Sequence, residues 1–347
     1  MIRFILFAML TAGPVAAQTQ PAPLIIAHRG ASGERPEHTR AAYDLAIDQG
    51  ADFIEPDLVM SKDGHLVVRH ENEISETTDV AGRPEFANRR ITRDIDGRPV
   101  TGWFTEDFTL AELRTLRARE RLPALRPASA AFDGQEPILT FQEVIDIARA
   151  GTERTGRTIG VAPELKHPTH FAAIGLPMGP PIITALVAND LMAADRPVLI
   201  QSFEVEVLRA LDQATDAPLL QLMSPLGGPY DRPGASYVDM ATPEGLAEIA
   251  TYADAIGVET GLIYPRDASG ATPMATTLVN DAHAAGLKVV VWTFRAEDVF
   301  LPIEFRGNAD HGMGDMAGWL RRFYRLGVDA VFADHPAIAV QARSDQP

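Results

Sequence analysis

Short apolar runs rich in β-branched residues alternate with longer stretches of helical spacing along this chain, and that alternation restricts its fold more than any other feature. The runs cover residues 24–27, 53–59, 66–68, 159–161, 198–200, 219–222, 255–258, 289–292 and 330–332; helical spacing covers 39–49, 141–150, 243–252, 275–285 and 316–326. Such alternation predicts a parallel sheet wrapped by helices. Chemistry concentrated at the strand ends favours a closed (β/α)8 TIM barrel over an open sheet, because barrel strands deliver their C-terminal ends to one mouth. Nine runs compete for eight places. The surplus is either 66–68, which follows 53–59 after a Lys62-Asp63-Gly64 turn and no helix, or 330–332. One long segment, Glu71 to about Glu136, breaks the rhythm with Arg, Asp, Gly and Pro and one helical patch at 110–119. Insertions of that length are usually lids or side walls.

Met1-Ile2-Arg3, an apolar run at 4–12 and then Val15-Ala16-Ala17 before polar Gln18-Thr19-Gln20 read as a secretory signal peptide cleaved after Ala17. The apolar run falls well short of the roughly 20 residues that span a bilayer, so stable membrane insertion is not expected. Residues 18–347 are then expected to form a single barrel domain, exported to a periplasm or secreted. The absence of cysteine removes a lipidated N-terminus and any disulfide framework. Asp and Glu number 47 against 31 Lys and Arg, a formal net charge of −16. Nucleic acid and anionic headgroups need clustered cations, so the expected partner is a small soluble molecule. The sequence carries no signal for oligomeric state.

Residues two apart in a strand share a face, which puts Glu55 and Asp57 together with Cβ atoms roughly 7 Å apart. Two like charges on an apolar strand call for an intervening cation, and oxygen ligands suit Ca²⁺ or Mg²⁺; a solvated edge or an Arg partner is the alternative. Glu164 and Lys166 repeat the device at another strand end, as a third metal ligand beside a phosphate contact or as a plain ion pair. His28 and His70 each close an apolar run, where imidazoles can act as base and acid in one cycle or simply as structural hydrogen-bonders. Gly30 can end the first strand and let Arg29 turn into the mouth, where a guanidinium grips phosphate oxygens. Gln201, Phe203 and Trp292 are candidate pocket walls. Among the other histidines His38 could line the site; His65, His167, His170, His283, His311 and His335 fit surface or capping roles better.

Ala27-His28-Arg29-Gly30, Pro36-Glu37-x-Thr39, Gly50-Ala51-Asp52, Ile54-Glu55-Pro56-Asp57, Lys62-Asp63-Gly64 and Val67-Val68-x-His70 occur in this order. Thr77-Thr78-Asp79, Glu164-Leu165-Lys166, Gln201-Ser202-Phe203, Val291-Trp292-Thr293 and Ala333-Asp334-x-Pro336 continue the series. As a set they resemble the glycerophosphodiester phosphodiesterases, especially the periplasmic branch, over nearly the whole chain. The resemblance implies a barrel with an inserted segment and one divalent cation, Ca²⁺ or Mg²⁺, ligated by Glu55, Asp57 and Glu164. It further implies acid–base work by His28 and His70, phosphate contacts from Arg29 and Lys166, and cleavage of glycerophosphodiesters to glycerol 3-phosphate and an alcohol. The chain departs from the family with His38 in place of Asn, Glu71 in place of Asp, and Glu76 in place of Arg.

Three carboxylates around a divalent cation leave one negative charge, which Arg29 and Lys166 turn to one positive. A singly charged phosphodiester then neutralises the set. Three rivals are a noncatalytic metal-containing solute-binding barrel, a phospholipase D-like enzyme acting on lysophospholipids, and a metal-dependent amidohydrolase. The second would want an apolar rim, whereas the insertion is charged; the third would want His-x-His at the first strand, which has only His28.

Overall fold

Proline has no N–H to give to a ladder, and Pro56 and Pro163 each split one barrel strand in two. The computed structural model describes residues 22–307 and 312–345. In chain order its strands are β1 (Leu24–His28), β2 (Phe53–Glu55), β3 (Asp57–Met60), β4 (Leu66–Val68), β5 (Ile91–Ile95), β6 (Arg98–Gly102) and β7 (Gly160–Val161). There follow β8 (Glu164–Leu165), β9 (Ile200–Ser202), β10 (Leu219–Met223), β11 (Ala255–Glu259), β12 (Lys288–Phe294) and β13 (Ala330–Ala333). Sheet order is β4-β3-β8-β9-β10-β11-β12-β13-β1-β2-β7. Joining β2 to β3 across Pro56, and β7 to β8 across Ala162-Pro163, closes this order into eight parallel strands. Carbonyls carry the ladder across the breaks, since Glu164 N–H donates to Pro56 O and Gln201 N–H to Pro163 O, both at 2.9 Å.

The ninth run is now placed. β4 pairs antiparallel with β3, Leu58 facing Val68 and Met60 facing Leu66, through a turn in which Gly64 has φ +82°. Residues 330–332 belong to the barrel, in β13 between β12 and β1.

Side chains alternate across the sheet. Ile26, Ala162, Leu220, Leu222, Ala255, Val290, Ala330 and Phe332 cluster inside the barrel, with Phe53 and Leu199 against them. Ile25, Ile54, Ile256, Val289 and Val331 belong to a larger layer that packs with the surrounding helices. Two residues beyond the inner apolar positions the same face turns polar: His28 after Ile26, Glu55 after Phe53, Glu164 after Ala162, Gln201 after Leu199. Period two thus carries the barrel filling directly into the site.

The helix Phe141–Thr155 starts on a capping box, Thr140 accepting from Glu143 N–H while Glu143 accepts from Thr140 N–H, and stops at left-handed Gly156. Between β4 and this helix the insertion differs from expectation twice. The helical patch expected at 110–119 is only Leu110–Leu113, because bridges of Arg117 to Pro137 and of Ala118 to Thr78 hold the following residues extended. The insertion also holds a hairpin, β5–β6, absent from the sequence-based reading. Asp96 and Gly97 turn it with φ of +50° and +77°, the mirror-image turn for which Asp-Gly is a strong signal. Its residues are largely exposed on both faces, so no apolar alternation marks it. The leader at 1–17 and His311 lie outside the described residues. No described helix is long and apolar enough to cross a membrane.

Candidate active site

Strand register assembles the site from separated parts of the chain. His28 lies beside Glu55, Asp57 beside Glu164, and Glu164 beside Gln201. Glu55, Asp57 and Glu164, all buried, bring one carboxylate oxygen each to within 4.8 Å of one another. Glu55 accepts from the Arg29 N–H at 2.7 Å. Asp57 pairs with Lys166 at 3.2 Å, with Arg29 Nε at 3.1 Å and with His38 Nε2 at 3.0 Å. Glu164 pairs with Lys166 at 2.6 Å. Yet Asp57 Oδ1 and Glu164 Oε1 are buried without a hydrogen bond of proper geometry.

These carboxyls titrate far apart. Burial, with the neighbouring Asp57 charge adding, pushes Glu55 well above the usual carboxylate range. Burial, with Asp57 again adding and Lys166 opposing, pushes Glu164 up to about 8. At Asp57 burial is outweighed by Lys166, His70 and Arg29, which hold it well below its ordinary value. A buried set that must gather protons or a cation to tolerate its own charge has the character of a metal-ligand set. Three carboxylates against Lys166 leave two negative charges, because Arg29 is also matched by Glu37 at 3.1 Å. One divalent cation balances them, and oxygen donors suit Mg²⁺ or Ca²⁺. The donor set and its orphaned oxygens therefore fit a hard divalent ion, and Glu37 corrects the simpler charge count made from the sequence.

Nine of the ten predicted site residues line one cavity of about 260 Å³ at the strand C-terminal ends, and Asp57 sits beside it. His28 Nδ1 is bonded to Asp334 at 2.7 Å, which leaves Nε2 for the cavity. His70 Nδ1 is bonded to Glu71 at 2.5 Å, with 28% of the side chain exposed. Burial, reinforced by Arg29, lowers His28 to about 4; burial with Arg29 and Lys166 lowers His70 as well. Both imidazoles are thus neutral at pH 7. Arg29 reaches the cavity because the chain leaves β1 there with φ +60°. Phe203 and Trp292 meet edge to face at 5.6 Å on the opposite wall. A larger void of about 700 Å³ opens at the other end of the barrel around Leu24, Ile26, Leu199 and Val290, and no candidate residue lines it.

His38 does not line the cavity. It is fully buried behind Asp57, its Nδ1 on Tyr43 Oη at 2.9 Å. It has φ +61°, a left-handed conformation that Asn and His tolerate better than most residues, which accounts for His where Asn is usual. Sequence reasoning missed Arg295, which lines the cavity and pairs with Asp334, and missed Arg121 and Arg126 in the insertion. No spacing links Arg121 or Arg126 to a strand end, whereas Arg295 directly follows β12.

Fold and site together define a (β/α)8-barrel enzyme with a carboxylate cluster fit for a divalent cation. A model of the glycerophosphoryl diester phosphodiesterase family matches residues 28–338, and the chain belongs to that family. It is 36% identical over 324 residues to a glycerophosphodiester phosphodiesterase of Arabidopsis thaliana, covering 90% of this chain and 83% of that protein. It is 28% identical to one of Haemophilus influenzae, covering 79% of each. A phosphodiesterase of Oleispira antarctica, solved in complex with its product sn-glycerol-3-phosphate, superposes with a TM-score of 0.61 at 22% identity, covering 93% of this chain and 98% of that one.

Proposed function

We propose that this chain hydrolyses glycerophosphodiesters to glycerol 3-phosphate and an alcohol, with one Ca²⁺ or Mg²⁺ held by Glu55, Asp57 and Glu164. The observation that carries the reading is the meeting, in one cavity, of two carboxylate-anchored imidazoles with that cluster, Arg29 and Lys166. When bound, the cation supplies charge stabilisation to a phosphoryl oxygen and acidifies a coordinated hydroxyl. Arg29 and Lys166 hold the remaining phosphoryl oxygens, and Gln201, Phe203 and Trp292 orient the glycerol or alcohol. One histidine, with Nδ1–H given to its carboxylate, uses its Nε2 lone pair to take the proton of the glycerol 2-hydroxyl as that oxygen attacks phosphorus. The other, in its protonated form, gives a proton to the departing alcohol. The cyclic phosphate so formed is opened by water with the two roles exchanged.

The acyl-bearing alternative gains one observation. Leu226, Met274 and Ile303, respectively 81, 77 and 51% exposed, stand on the loops that follow β10, β11 and β12, on the same end of the barrel as the site. These are exposed apolar side chains at the mouth end of the barrel, off the insertion, and none of them lines the cavity. Incubation with glycerophosphocholine, glycerophosphoethanolamine and lysophosphatidylcholine, followed by phosphorus NMR, separates the readings. Glycerol 3-phosphate from the first two is expected; turnover of lysophosphatidylcholine alone would establish the lysophospholipid reading instead.

We also propose export, to a periplasm or the medium, on the strength of the charged start, apolar run and Val15-Ala16-Ala17. The secreted protein is expected to begin at Gln18 on N-terminal sequencing; a retained Met1 counts against it.

A further inference from the structure

Arg121 and Arg126 lie five positions apart on the returning limb of the insertion, and each grips the carboxylate that anchors one of the two cavity histidines. Arg126 is 7% exposed. It donates to Asp334 Oδ2 at 2.6 Å, to Glu297 at 2.5 Å and to Ser32 O at 2.9 Å, while Asp334 Oδ1 holds His28 Nδ1. Arg121 donates twice to Glu71, at 2.9 and 2.7 Å, and twice to Glu37, at 2.9 and 2.7 Å. Glu71 Oε1 in turn holds His70 Nδ1. The spacing of the two arginines is fixed by a tight turn, in which Leu125 and Arg126 N–H both return to Leu122 O and Leu122 N–H is braced on Glu120.

We propose that Arg121 and Arg126 are positioning residues for His70 and His28, so that the insertion, although none of its residues lines the cavity, is part of the catalytic apparatus. This rests on the reading of those histidines as acid and base. A carboxylate held by one oxygen swings about its Cβ–Cγ or Cγ–Cδ bond and carries the imidazole with it. A guanidinium on the second oxygen stops that rotation, and on a planar fork it does so with a fixed direction; on Asp334 Oδ2 Arg126, at 2.6 Å, shares this task with Arg295, at 3.1 Å. Arg126 and Arg295 keep buried Asp334 ionised, and the His70 hydrogen bond, with Arg121 adding, keeps Glu71 ionised, so that each histidine donates from Nδ1 and presents an unprotonated Nε2. Around His28 the charged groups are Asp334 and Arg295 from the strand ends, Arg29 from its own loop and Arg126 from the insertion. Of these, only Arg126 comes from outside the barrel strands and the loops that directly follow them. Arg121 differs in one respect: through Glu37 it also braces Arg29, so its loss acts on phosphate binding too.

A double-mutant cycle tests this in the full-length protein loaded with Ca²⁺, using glycerophosphocholine. Arg126→Ala is expected to lower kcat about 10- to 100-fold with KM and calorimetric Ca²⁺ affinity within a few-fold of the parent. In a His28→Ala background the same substitution is expected to cost less than about threefold, because its partner is gone. Arg121→Ala is expected to lower kcat and raise KM together. If Arg126→Ala does not fold, Arg126→Lys carries the same cycle, keeping charge without the fork. Equal losses from the Arg126 change in both backgrounds would overturn the proposal while leaving His28's role intact. Full activity of His28→Ala itself would instead remove the reading on which it rests.

Discussion

His70→Ala is expected to lower kcat for glycerophosphocholine by about 10²- to 10⁴-fold, the usual weight of a general acid or base. Three features make His70 a strong place to look. Its ring is anchored by Glu71 at 2.5 Å, more than a quarter of its side chain remains open, and it lines the cavity together with Lys166 and Arg29. The anchored Nδ1 leaves Nε2 as the working atom. Because burial and the two nearby cations depress its proton affinity, the free imidazole is neutral across the physiological range, suited to accept a proton. A bound phosphodiester adds a negative charge, which favours the imidazolium needed to donate one. Alanine removes the ring and nothing that ligates the cation, so Ca²⁺ affinity by calorimetry should stay within a few-fold. Turnover within a few-fold of the parent would eliminate the acid–base assignment, whatever happens to binding.

The split between what the sequence discloses and what it does not follows the range of the interactions. His28, Glu55 and Glu164 are legible because period two places them on the inner face of strands whose apolar residues point the same way. Alternation alone would turn Arg29 away from the cavity; its entry depends on a positive φ, and Gly30 beside it signals the strand end that permits the turn. The β4 hairpin is legible as a surplus run, but only pairing shows that it, and not β13, lies outside the barrel. Arg121 and Arg126 leave no local mark. Their partners Glu71, Glu37, Glu297 and Asp334 are separated from them by 50, 84, 171 and 208 positions, and a charged, turn-rich segment gives no register from which to align them. His38 is visible as a departure from the family, but its place behind Asp57 is a matter of packing.

Removal of the divalent cation is expected to lower activity by about 10³-fold or more, since Lewis-acid stabilisation of a phosphoryl group is worth several kcal/mol. The same experiment has a readout independent of turnover. Without a cation Glu55 and Glu164 keep protons that an unfolded chain would release near its ordinary carboxylate values, because burial raises both, Glu164 to about 8. A carboxyl raised on folding contributes stability that is complete below its unfolded pKa and is lost as pH rises through the folded one. In EDTA the contribution of Glu164 to Tm should therefore decline between about pH 5 and pH 8, and that of Glu55 should decline with rising pH as well, with Asp57, held low by Lys166, opposing the trend only below about pH 4. Ca²⁺ or Mg²⁺ displaces those protons, so its affinity should rise with pH up to about 8 and its binding should release protons, read by calorimetry in buffers of different ionisation enthalpy. At a hundred times its dissociation constant the ion adds about 2.7 kcal/mol of stability, so the decline should become shallower. Glu164→Gln should remove the share of the proton release that comes from Glu164, leaving that of Glu55, and weaken the ion. Full activity after exhaustive chelation, or a Tm indifferent to Ca²⁺ and Mg²⁺ at every pH, would rule out Glu55, Asp57 and Glu164 as a metal site.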